Sequence, residues 1–214
     1  MEKKYKTIPE GDMLRIIALK DFLNIKKGDR GGLIDNEDNL SQEGDCWIYL
    51  TAKVSGDARV YDNATVWGFA KVSGNAKIYG DARVYDYAMI SDCACVSGKA
   101  MISDGVEVYG DAVISGNAFV CKKARVYENA KVYGEAQVYG DVEVCGNVKL
   151  HSPRINRYGI TASIENNKDY IILATGKEFC VFSSNIAKVE AITETAIDYI
   201  NNIQTIRQIY GEKI

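Results

Sequence analysis

Histidine occurs once in 214 residues, at position 151. A zinc site built on several imidazoles therefore lacks its ligands, and His151 is the single histidine that could act as a general base. No apolar run approaches the length of a membrane span, and Met1-Glu2-Lys3-Lys4 leads into no signal-peptide core, so the chain reads as cytoplasmic with no membrane partner. No long basic run exists and the formal net charge is −3, which argues against duplex nucleic acid as a main partner. Proline is nearly absent too, and one of the two, Pro153, ends the pattern that dominates the chain.

That pattern is eighteen uninterrupted six-residue units from Asp45 to Ser152. Every sixth residue is aliphatic, running Ile48, Val54, Val60, Val66 and so on to Val144 and Leu150. Two residues before each stands a small residue, Ala at fourteen of the eighteen places. A turn pair such as Gly74-Asn75 or Gly80-Asp81 follows. Period-two alternation puts the Ala and the aliphatic on one face, and Gly, Asp and Asn tolerate the positive φ of a tight turn. Burying the same face every six residues, with no partner strand in between, requires three units to close a triangular coil. Coils then stack at about 4.8 Å, so six coils make a prism of roughly 29 Å. The interior is a column of Val and Ile, each worth about 1.5–3 kcal/mol on burial. Residues stacked on one another are eighteen apart, a spacing that no two of the six cysteines share, so all six are expected as free thiols.

Both ends of such a prism expose strand edges and core. Residues 1–44 read as an N-terminal cap, with a strand beginning at Met13-Leu14-Arg15-Ile16 and an irregular coil carrying Ile34 and Leu40. Leu40 lies eight residues before Ile48, so one turn holds two extra residues. Residues 153–214 read as a cap or oligomerisation segment: strands at 157–164, 170–174 and 179–182, then a helix from Asn185 with Ile186, Val189, Ile192 and Ile200 on one side.

The segments Leu14-Arg15-Ile16-Ile17-Ala18-Leu19-Lys20-Asp21-Phe22, Lys27-Gly28-Asp29-Arg30-Gly31-Gly32 and Asn39-Leu40-Ser41-Gln42-Glu43-Gly44-Asp45-Cys46-Trp47, followed by Ala-x-Val-Tyr-Gly units, resemble a family of phage and prophage hexapeptide-repeat proteins. Many of these are labelled acyltransferases by fold alone. The resemblance implies an all-β solenoid, a left-handed parallel β-helix of six regular coils, and a host-cytoplasm location if the chain is phage-encoded. Acyltransferases of this fold are trimers that hold coenzyme A between prisms, use a histidine base and extrude a loop over the cleft. This chain extrudes no loop between residues 45 and 152, and its one histidine lies in the last unit. The carbonic anhydrases of this fold need three histidines, so no metal is expected, nor any other cofactor.

Function on such a prism belongs to outward side chains. Sorted by eighteen-residue stacking, the first face carries Thr65/Trp67, Arg83/Tyr85, Met101/Ser103 and Phe119/Cys121. The second carries Lys71/Ser73 and Met89/Ser91, and the third Arg59/Tyr61, Lys77/Tyr79, Cys95/Ser97 and Val113/Ser115. Two aromatic-basic clusters result: Arg59, Tyr61, Lys77, Tyr79 on the third face and Trp67, Arg83, Tyr85 on the first. Flat rings with cations suit a small anionic, nucleotide-like ligand, while stacked Tyr and Lys equally support neighbouring strands. In the middle coils Met89, Cys95, Met101, Val113 and Phe119 replace charges, as a homotrimer interface would. The expected function is a non-enzymatic binding protein sequestering such ligands, host immune signals among them, between subunits. Two alternatives stay open: a coenzyme A-dependent acyltransferase using His151, and a protein-interaction scaffold.

Overall fold

A computed structural model describes residues 3–140, 143–147, 149–151, 154–156, 159–161, 170–175 and 178–183, with side chains up to Leu150. The repeat folds as a parallel β-solenoid of six coils. Each coil strand pairs with the strand eighteen residues on: Arg83 lies between Thr65 and Met101, and Cys95 between Lys77 and Val113. The three faces are the ones sorted from the sequence. Ala52, Val54, Ala58, Val60 and their successors are fully buried along the axis.

Most coil strands are two residues long, such as Lys53–Val54. Backbone pairing nevertheless continues past them. The Lys53 N–H donates to the Ala70 carbonyl at 3.0 Å and the Ser55 N–H to the Val72 carbonyl at 2.9 Å. The corners bend the chain out of strand geometry without breaking the ladder. At one corner position Gly and Asp alternate between coils in the left-handed region, as at Gly74 (φ 67°) and Asp92 (φ 56°). A Cβ on Gly74 would come within 2.8 Å of the Asp92 nitrogen, so the small residue is required by both φ and space.

The N-terminal end is closed. Strand β1 (Tyr5–Glu10) forms a hairpin with β2 (Met13–Ala18), turning at Gly11, and β2 pairs antiparallel with β3 (Arg30–Ile34). β3 then runs parallel to Lys53–Val54, and Leu40 bridges to Val60. Ile34 and Leu40 therefore sit twenty residues below their stacking partners, the two extra residues falling between Leu40 and Ile48. Asn39 stitches this first irregular coil to the next, its Nδ2 donating to the Gly56 and Ala58 carbonyls at 2.8 Å. Trp47 belongs to the outward register of the first face, yet it is fully buried. The hairpin reaches over it, with Phe22 and Tyr5 edge-on at 5.3 and 6.4 Å.

At the other end Arg154–Asn156 adds a further parallel strand to the first face and turns back against Gly159–Thr161, so pairing continues past residue 152. Tyr170–Thr175 and Glu178–Ser183 form a hairpin where two strands were expected. The expected helix from Asn185 and the residue Pro153 lie outside the described residues, as does part of the 157–164 segment. Among the described residues no helix is long and apolar enough to cross a membrane.

Candidate functional site

Stacking at coil spacing brings the rings of both clusters together. On the third face the Tyr61 and Tyr79 rings stack, their centroids 5.0 Å apart and their planes 1° from parallel. On the first face Trp67 and Tyr85 stack at 4.6 Å and 9°. A flat ligand cannot slide between rings this close, so the inner ring faces support the strands and only outer faces and edges remain for recognition. Burial, then the neighbouring Tyr79 hydroxyl, pushes the Tyr61 hydroxyl above its ordinary range. Arg59 and Lys77 are exposed strand neighbours, and neither has a carboxylate partner among the described residues.

The first face is concave among the described residues. Two depressions of about 960 and 990 Å³ share Asn24, Tyr49 and Trp67. Together they make one open trough along the face. The N-terminal segment walls its lower end: the Tyr49 hydroxyl donates to Asn24 Oδ1 at 2.8 Å, and Leu23 and Asn24 line the edge. Half-buried Trp67 forms a shared wall, edge-on to Tyr49 at 6.3 Å. Thr65, Arg83 and Met101 continue upward, and the corner residues Asp45, Asn63, Asp81, Lys99 and Asn117 form one rim. Arg83 and Lys99 form no salt bridge or side-chain hydrogen bond among the described residues. Two uncommitted cations thus flank an aromatic wall, which suits an anion attached to a flat or apolar body.

Of the residues singled out in the sequence, Trp67 and Arg83 enter the trough, while Tyr85 backs Trp67 from above. Arg59, Tyr61, Lys77 and Tyr79 form a separate cluster on the third face. Sorting only strand residues missed Asn24 and the corner ladder Asp45-Asn63-Asp81-Lys99-Asn117. The same eighteen-residue spacing, applied to turn residues, would have found the ladder.

The five proposed interface residues form a belt rather than a patch. Met89 lies on the second face, Cys95 and Val113 in register on the third, and Met101 and Phe119 in register on the first. Only Met89 among them is exposed, at 42%. Among the described residues a contiguous exposed apolar surface lies at the corner between the first and second faces. There Leu50, Phe69, Tyr87 and Met89 are each more than two-fifths exposed, and Phe69 stacks on Tyr87 at 5.3 Å.

Cys46, Cys93, Cys95, Cys121 and Cys145 form no disulfide. Burial pushes the Cys46, Cys95 and Cys121 thiols up, away from thiolate. The His151 backbone pairs with Tyr133, and its side chain lies outside the described residues. No group of three metal-ligating side chains occurs among the described residues.

A family model described as the YdcK β-solenoid repeat matches residues 52–68 and 76–92. Over 61 residues the chain is 41% identical to a protein of Escherichia coli (strain K12) named uncharacterized acetyltransferase YdcK. That stretch covers 25% of this chain and 19% of the E. coli protein's length. Six coils stacked at an eighteen-residue period and an Ala-x-Val core give the chain a hexapeptide-repeat β-solenoid fold, and both matches show it to be similar in its repeats to the YdcK solenoid.

Proposed function

We propose that the protein is a non-enzymatic binding protein whose site is the first-face trough, and that it sequesters small anionic, nucleotide-like ligands. The observation that carries this reading is the convergence, in one concavity, of a half-buried Trp67 with Arg83 and Lys99, two cations without partners among the described residues. In the homotrimer expected for this architecture, a neighbouring prism would close the open side of the trough. The apolar corner at Phe69 and Tyr87 is the natural contact.

Intrinsic fluorescence tests the reading directly, because the chain has two tryptophans and Trp47, which backs the lower depression, is buried while Trp67 is partly exposed. Titration with AMP is expected to change Trp67 emission, and Trp67→Phe to abolish the response. Arg83→Ala is expected to weaken binding by about 1.5–3 kcal/mol, the worth of a charge-assisted hydrogen bond. A flat titration with the fold intact would sink the reading.

The name of the E. coli relative favours a second reading, a coenzyme A-dependent acyltransferase. It requires coenzyme A to bind and turnover to vanish in His151→Ala.

A further inference from the structure

The trough holds opposite charges that do not satisfy each other. Asp81 and Arg83 lie two residues apart and both line it, yet no ion pair joins them. Asp81 is fixed in place by the corner ladder. Its Oδ1 accepts from Asn63 Nδ2 at 3.0 Å, Asn63 Oδ1 accepts the Asp45 N–H at 3.4 Å, and the Asp81 N–H donates to the Gly98 carbonyl at 2.7 Å. One carboxylate oxygen is thereby tethered and the other has no partner among the described residues. A bare anion entering the trough would gain from Arg83 and Lys99 and be repelled by Asp81 and, lower on the rim, by Asp45. A carboxylate that accepts hydrogen bonds only is satisfied by a donor on the ligand.

We infer that Asp81 is the specificity-determining residue of the trough: it accepts a hydrogen bond from a hydroxyl or amino group of the same ligand whose anionic group meets Arg83. The ligand class is then an anion carrying neighbouring donors, such as a ribosyl or other glycosyl phosphate, and a bare polyphosphate is selected against. This rests on the trough being the binding site. The bland alternative is that Asp81 serves only the turn, which an asparagine serves as well.

Calorimetry on the full chain separates the two, using AMP, its 2′,3′-dideoxy counterpart and ribose 5-phosphate as probes. AMP is expected to bind at least about tenfold tighter than the dideoxy compound, because a donor lost opposite a polar group leaves that group unpaired. In Asp81→Asn that preference should collapse, with dideoxy affinity held or raised as the repulsion disappears. Ribose 5-phosphate binding like AMP would support the inference and identify a sugar phosphate as a sufficient source. Equal affinity of wild type for AMP and its dideoxy counterpart overturns the role of Asp81 and leaves the trough standing. Silence from all three probes overturns both. Asp81→Asn keeps the side-chain shape, and an unchanged melting curve shows that any effect is on recognition.

Discussion

Lys4 is the most deeply buried cation among the described residues. It is 1% exposed, and its Nζ donates to the carbonyls of Glu43, Gly44 and Cys46 at 3.3, 3.1 and 2.9 Å and to Cys46 Sγ at 3.1 Å. A lysine is rarely buried this far unless its donors are met. Here it gathers carbonyls where the chain enters the first regular coil, which pins the hairpin to the prism. Lys4→Met is expected to destabilise the fold by about 1.5–3 kcal/mol, measured by denaturant unfolding. Two titrations meet at this contact. Desolvation lowers the Lys4 pKa, so the unfolded chain binds more protons just below 10.5 and stability rises with pH there. Desolvation raises the Cys46 pKa, so the folded chain keeps its proton above 9.0 and stability falls with pH there. The two oppose each other in the wild type. Removing Lys4 leaves the cysteine alone, so the variant should lose stability more steeply than wild type above pH 9.0, and parallel slopes would contradict the pairing.

At the scale of the element, the corners carry more than chain reversal. Asp62, Asp92, Asp104 and Glu128 occupy left-handed backbone where other coils place Gly. Each carboxylate accepts a backbone N–H from the coil above, at Gly80, Gly110, Lys122 and Gly146, at 2.8–3.1 Å. Strain in one turn is offset by a hydrogen bond to the next. Asp92→Ala keeps the strain and loses the bond, for about 0.5–1.5 kcal/mol of destabilisation. Asp92→Gly should lose less because it relieves φ. Thermal unfolding checks the order, and an alanine variant as stable as the glycine variant would remove the strain from the account. The stacking of these corners was legible in the sequence, because an eighteen-residue offset aligns turns as surely as strands. The trough was not, since concavity depends on how far the cap leans over Tyr49. Nor was the burial of Trp47: β1 was missed, although Tyr5-Lys6-Thr7-Ile8 before Gly11-Asp12 alternates as a hairpin strand does.

For the whole molecule, the prism sets what can be a surface. The apolar residues of the middle coils lie on three faces that point different ways, so a single contact takes in only part of that belt. Leu50, Phe69, Tyr87 and Met89 climb one corner over three coils with 53%, 55%, 64% and 42% of their surfaces exposed. Exposed apolar clusters of this kind usually mark contacts. Lys53 and Lys71 flank this ridge on the second face, and both are exposed without carboxylate partners among the described residues. Under the proposed homotrimer, the ridge packs on the adjacent prism beside the trough, so assembly and ligand binding share a boundary. The double change Phe69→Glu with Tyr87→Glu places two carboxylates in that contact, where burying a charge without a partner is strongly unfavourable. Light scattering should then fall from the trimer mass to the monomer mass while circular dichroism stays unchanged, since neither side chain reaches the Val and Ile column. AMP affinity should fall with it, because the neighbour that closes the trough has gone. A variant that stays trimeric would move the interface to another face, and one that becomes monomeric yet binds AMP as before would make the trough a site complete within one chain.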